Sequence, residues 1–199
     1  IGRGSLGKWG VNHAADPVVT TYLDGDLHVV AIFRTDAPEF PALPGGMVET
    51  LESGAMEPFS MTMSREFFEE AANDKLMNPE DAEKIREKLR SGALLYCGIV
   101  DGEPRNTTNA WIETVVRHTH LSSEDARKLS LRIDGDDMGE TKGARWIRVT
   151  DGMKWYNEGH ASFVKAAQER LDSDASWTQF LMMAFFVFVV MMLIYIKEH

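Results

Sequence analysis

The run Phe180–Ile196, FLMMAFFVFVVMMLIYI, is 17 residues long and holds no charged residue, no glycine and no proline. As a helix it spans about 26 Å, close to the roughly 30 Å of a bilayer's hydrocarbon core. A helix packed on a soluble core keeps polar positions on its outer face, whereas this run is apolar all round. Trp177 and Tyr195 stand at its two ends, where aromatic side chains favour the membrane interface. The sequence therefore predicts a transmembrane anchor over 177–196, a polar link over 172–176 and a globular domain over 1–171. Only Lys197, Glu198 and His199 follow the run, which places the domain on its N-terminal side. Insertion as a tail anchor leaves such a domain facing the cytosol.

The chain has 199 residues, enough for one domain with a proper core beside the anchor. Its net charge of -10 argues against a nucleic-acid partner, because phosphate neutralisation needs clustered Lys and Arg. The single cysteine, Cys97, cannot form an internal disulfide, and the apolar run ALLYCGIV around it suggests a small buried side chain.

Four segments read as strands: 26–34, 93–101, 109–118 and 143–150. Helices are expected over 57–72, 78–92 and 160–172. The second opens on Asn78-Pro79, an N-cap followed by proline at the first helical position, and closes at Gly92. Strands interleaved with helices give an α/β chain with a mixed sheet. His118 and His120 are read as ordinary strand residues.

The stretch LPGGMVETLESGAMEPFSMTMSREFFEEAAND, residues 43–74, carries the chemistry. Glu66, Glu69 and Glu70 fall at i, i+3 and i+4, on one side of the 57–72 helix, while Phe59, Met63, Phe67 and Ala71 make its apolar stripe. Like charges so placed cost about 0.2–0.5 kcal/mol per pair, so a cation is expected among them. Carboxylates with a nearby carbonyl from the glycine turn, at Gly46, form an oxygen-only donor set suited to Mg²⁺ or Mn²⁺. Such an ion polarises phosphorus and acidifies an attacking water. An acidic solvated helix face is the plainer alternative.

With its spacing, the stretch resembles the Nudix box. Glu57, seven residues, then Arg65-Glu66-Phe67-Phe68-Glu69-Glu70 fits the box without a gap. Ten residues separate Gly46 from Glu57 where the family has five, which places an insertion in the loop around Val48–Ala55. The stretches 2–22 and 101–114, with 135–146 and 159–163, look like the mitochondrial-type ADP-ribose pyrophosphatases. They are also similar to the ADP-ribose-sensing domain of melastatin-type cation channels.

The resemblance implies an α/β/α sandwich with the box at 46–72. It implies Mg²⁺-dependent (or Mn²⁺-dependent) hydrolysis of ADP-ribose to AMP and ribose 5-phosphate, or else a sensor that binds ADP-ribose with little or no hydrolysis. Glu66, Glu69 and Glu70 then become the metal ligands with Gly46, Glu66 shares base duty, and Arg65 orients a box glutamate. Arg105 is a candidate phosphate clamp or the partner of a local carboxylate. Asn106 and Asn109 pair with ribose hydroxyls or shape a turn, and Trp9 or Trp111 stacks on adenine or is buried. His13 and Asp16 are expected to organise a loop near the substrate. The acidic candidates for a further base are Glu113, Asp136, Asp137 and Glu140.

Overall fold

The computed structural model describes residues 2–100, 102–133 and 141–198. Its contacts divide it into two units, Ile1–Val164 and Lys165–His199.

The first unit is built on a mixed sheet. Strands β1 (Gly10–Leu23) and β2 (Asp26–Arg34) form a hairpin. Asp24 and Gly25 turn it with φ of 51° and 88°, the left-handed pair that a two-residue hairpin favours. β1 then pairs in parallel with β6 (Ala110–His120), from Gly10 opposite Ala110 to Thr20 opposite His120. β5 (Ala93–Ile99) runs antiparallel along β6. On the other side β2 carries β3 (Pro41–Ala42) and β7 (Thr141–Arg148), and the short β4 (Gly46–Met47) pairs with β1 at Ala14 and Ala15.

The central strand β1 is absent from the sequence expectations, which read its NHAADP segment as a loop. Proline inside a strand normally argues against one, since it cannot donate to a ladder. Here β4 occupies the second flank of β1 only at Ala14 and Ala15, and β2 only from Thr20 onward. No ladder bond is demanded on that flank at Pro17.

Helices α1 (Phe59–Glu70) and α2 (Pro79–Arg90) fall within the expected segments, and the short α3 (Ser123–Lys128) is a helix that the sequence expectations do not include. Met63, Phe67 and Ala71 of the α1 stripe are fully buried, with Phe67 packed in one cluster with Val30, Ile32, Ile85 and Leu89. Each such side chain contributes roughly 1.5–3 kcal/mol of burial. Asn78 caps α2 by accepting from the Glu80 amide, with Pro79 at the first helical position.

Cys97 is exposed rather than buried. It lies on the sheet's edge strand β5, where a register shift between Leu94 and Tyr96 leaves Leu94 and Ile99 exposed as well. His118 is buried, and His118 Nε2 and His120 Nδ1 both bond the Thr20 hydroxyl, at 2.7 and 2.9 Å.

Helix α4 (Glu158–Glu198) begins in the first unit and continues as the second. It runs through 172–176, which contain no proline or glycine, and the Ser176 and Thr178 hydroxyls bond back to the carbonyls of Asp172 and Asp174. Its side chains Trp177, Phe180, Phe185 and Phe188 are exposed. The helix is long and apolar enough to be a candidate membrane span.

Candidate active site

Arg65 ties the carboxylates of α1 together. Its Nη2 donates to Glu57 Oε2 at 3.0 Å and to the Met47 carbonyl at 3.2 Å. Its Nη1 donates to Glu66 Oε1 at 2.8 Å and to Glu69 Oε2 at 3.1 Å. Burial alone would ease the proton off this guanidinium, but the bonds to Glu57 and Glu66 outweigh it and raise its pKa. Glu57 is buried, which disfavours its charge, yet the bonds from Arg65 and the Thr62 hydroxyl (2.8 Å) hold its pKa below the ordinary value. Charge-assisted bonds of this kind are the strong ones.

The longer loop closes on itself ahead of this site. The Glu57 amide donates to the Glu49 carbonyl at 2.9 Å, Thr50 bridges Met56, and Leu51 donates to the Ala55 carbonyl. The extra residues thus form an exposed excursion that returns the chain to Glu57, in reach of Arg65.

The glycine turn meets the helix from the other side. A Cβ at Gly46 would stand 2.4 Å from the Glu66 carboxylate, so only glycine lets the two approach. The Gly45 amide donates to Glu70 Oε2 at 2.9 Å. Gly45 has φ of 154° and lies so close to Asp16 that a Cβ would clash with it. Burial pushes Glu70 up to about 7, with Glu66 and Asp16 adding repulsion and the Gly45 amide opposing it. Burial likewise pushes Asp16 up to about 6, against the 2.5 Å bond it accepts from the Thr114 hydroxyl. Glu66 is also raised, by burial first. Burial is the first cause in all three, and the mutual repulsion of these carboxylates adds to it at Glu70.

Asp16, Gly45, Gly46 and Glu70 line a recess of about 130 Å³, together with Arg34, Glu103, Arg105 and His160, and Glu66 abuts it through Gly46. A cleft of about 630 Å³ adjoins it and shares Arg34, Glu103, Arg105, Tyr156 and Asn157. Arg105 gives Nε and Nη2 to Glu103, at 2.6 and 3.2 Å. Arg34 donates to Asp36 at 3.1 Å and lies 5.2 Å over the Tyr156 ring. His160 accepts from the Leu43 amide at Nδ1, and burial pushes it down to about 4, so the ring is neutral at pH 7.

The structure brings Glu70, Gly46, Asp16 and Arg105 together, sets Glu66 against Gly46, and leaves Glu69 exposed on Arg65. Asn106 is engaged by main chain at both ends, donating to the Val100 carbonyl and accepting from the Ile112 amide. Asn109 is exposed beside Gly2, and Trp9 is exposed too. Trp111 donates to Glu113 at 2.9 Å. By strand alternation and the β1–β6 register, Trp111, Glu113 and His13 share the face opposite Asp16 and Thr114. His13 packs there edge-on against Phe59. Asp136, Asp137 and Glu140 lie outside the described residues. Arg34, Glu103, Tyr156, Asn157 and His160 were not singled out from sequence, though GHASF at 159–163 belonged to the stretches that carried the resemblance.

Comparison with known proteins decides the family. The Nudix domain of Shewanella oneidensis NrtR, solved with ADP ribose, matches with a TM-score of 0.57 at 21% identity, over 82% of this chain and 90% of that one. In sequence, a Caenorhabditis elegans protein named as a nudix hydrolase is 44% identical over 169 residues, 84% of this chain and 59% of the relative. The chain belongs to the Nudix superfamily. This Nudix domain is also 37% identical over 199 residues to the mitochondrial ADP-ribose pyrophosphatase of Rattus norvegicus, covering 90% of this chain and 53% of that protein. It thus spans a little over half the length of these curated relatives. No family model matches the chain.

Proposed function

We propose that this Nudix domain hydrolyses the diphosphate bridge of ADP-ribose to AMP and ribose 5-phosphate with Mg²⁺ or Mn²⁺, while 177–196 tether it to a membrane, the domain facing the cytosol. The observation that carries the reading is the meeting of Glu70, Asp16 and the Gly45-Gly46 turn in one recess, with Glu66 against Gly46, beside a cleft holding Arg34 and Arg105. The rat relative named for ADP-ribose hydrolysis supports the substrate.

The donor chemistry fits a hard divalent cation: buried carboxylates whose charges repel, set against a main-chain turn stripped of side chains. Among the described residues no three acidic or histidine side chains form a ready-made cage. Mg²⁺ commonly takes only one or two carboxylates and fills its shell with water and phosphate oxygens. Glu66 and Glu70 would hold it, with Glu69 at the rim. When bound, the ion supplies charge to the diphosphate oxygens and acidifies a water.

The protein's own groups do the rest. The Gly45 amide keeps Glu70 aimed into the recess, and Arg65 orients Glu66. Arg34 and Arg105 line the cleft where phosphate oxygens would sit. The attacking water forms a bond to phosphorus, the bridging P–O bond breaks, and the proton released from water needs an acceptor. Asp16 faces the same recess with a pKa near 6 and can take it.

The 199-residue chain in detergent, given ADP-ribose and Mg²⁺, should release AMP and ribose 5-phosphate in equal amounts, followed by chromatography. Binding heat without AMP would replace the hydrolase with a sensor. The tether is tested by extraction: the protein should resist alkaline carbonate and dissolve in detergent, and release by carbonate would remove the anchor.

A further inference from the structure

The catalytic helix ends without the usual devices. Ala71 at its C-cap stays right-handed, with φ of -117°, and no basic residue lies in its last turn. The last carbonyls of a helix need donors from elsewhere. The Phe67 carbonyl takes the Ala71 and Ala72 amides, while Phe68 and the two residues just past the helix, Ala71 and Ala72, take donors from one residue some sixty positions on. Arg132 Nε donates to the Ala72 carbonyl at 2.9 Å and Nη2 to the Phe68 carbonyl at 3.3 Å. The Arg132 amide donates to the Ala71 carbonyl at 2.8 Å.

The strap is double-sided. Asn73 donates back to the Ser130 carbonyl at 2.8 Å, and Ala72 bridges Leu131. Ala144 of β7 donates to the Arg132 carbonyl at 2.8 Å, so the strap is fastened to the sheet. A cation at this end also suits the helix dipole. Phe68 on one side and Ala71 and Ala72 on the other bracket Glu69 and Glu70. The helix end that aims Glu70 at the Gly45 amide is therefore held from behind, through main chain.

We infer that Arg132 is a positioning residue: its fork to the Phe68 and Ala72 carbonyls sets where Glu69 and Glu70 stand, and so the cation affinity of the site. The inference rests on the metal-dependent reading above. It concerns neither the substrate nor the chemical step. A residue that merely supports the fold would loosen the whole domain; Arg132 acts on the end of one helix.

The test uses the full chain in detergent and Mn²⁺ alone as the probe, with bound and free Mn²⁺ read by electron paramagnetic resonance. Arg132→Met should raise the Mn²⁺ dissociation constant about tenfold, in the range seen when outer-shell partners of metal ligands are removed. Amide exchange should quicken over 71–73 while β1 and β6 keep wild-type protection. The KM for ADP-ribose at saturating metal should stay within about twofold. Arg132→Lys, which has one ammonium for two carbonyls, should fall between. Unchanged Mn²⁺ affinity in a folded variant overturns the inference, as does uniform loosening of the sheet. If Arg132→Met does not fold, Arg132→Lys with fast exchange at 71–73 and wild-type Mn²⁺ affinity overturns it. Wild-type protein that binds Mn²⁺ but leaves ADP-ribose intact removes the hydrolase and leaves this inference standing; wild type that binds no Mn²⁺ removes both.

Discussion

Glu66 lies so close against Gly46 that a methyl group on the glycine would meet its carboxylate at 2.4 Å. Two residues twenty positions apart are thus fitted to each other. Gly46→Ala should push the Glu66 carboxylate away from the glycine turn and lower kcat/KM by at least about a hundredfold, a cost expected for misplacement of about 1 Å near the chemistry. Circular dichroism should show the fold retained. Near-wild-type turnover in that variant would mean that Glu66 does not act where it now stands.

Glu70 offers a pH test whose sign is fixed. Its folded pKa, about 7, lies above its ordinary value of 4.5, so the unfolded chain ionises first as pH rises. Metal-free stability therefore falls between pH 4.5 and about 7, then levels off. Glu70→Gln removes that loss: in chelator its melting temperature should match wild type near pH 4 and exceed it at pH 8. The same variant should turn over orders of magnitude more slowly. A flat difference across pH would show that the carboxyl is not strained by burial.

Arg65 and Glu57 form the opposite case, a satisfied pair. Removing one member leaves a buried charge uncompensated, so Arg65→Met should destabilise the domain by about 3 kcal/mol in denaturant titration. Glu57→Gln should cost less, since an amide can still accept from Thr62 and Arg65. Equal and small effects would reduce the pair to a surface contact.

Asp125 supplies stability that acid should remove. The Lys84 ammonium bonds it at 2.7 Å, Ser122 and Lys88 add to this, and together they hold its pKa well below the ordinary value despite burial. That contribution is complete above pH 4 and is lost as pH falls through the lowered folded value. Asp125→Asn should destabilise the domain at pH 7, and the gap should narrow below pH 4. Thermal melts at both pH values read it directly.

The sequence was most legible where one short stretch holds the whole pattern. Helical spacing sets Glu66, Glu69 and Glu70 on one side, the resemblance to the Nudix box adds Arg65, and Asn78-Pro79 marks its helix because capping is local. The recess was not legible in the same way. Arg34, Glu103, Tyr156 and His160 come from separate parts of the chain and meet only once β1, β2 and β6 are paired. Pro17 concealed β1, and with it the face to which each residue of 10–20 points. Whether His13 and Trp111 face the recess or the far side is decided by counting along a strand that the proline disguised.

The most direct measurement is the rate of AMP formation from ADP-ribose by the 199-residue chain, in Mg²⁺ and in excess chelator, beside Glu70→Gln in Mg²⁺. The account predicts AMP and ribose 5-phosphate in equal amounts from wild type with Mg²⁺, and almost none from the chelated protein or the variant. AMP released equally fast in all three would contradict a divalent ion held by Glu70 on the diphosphate.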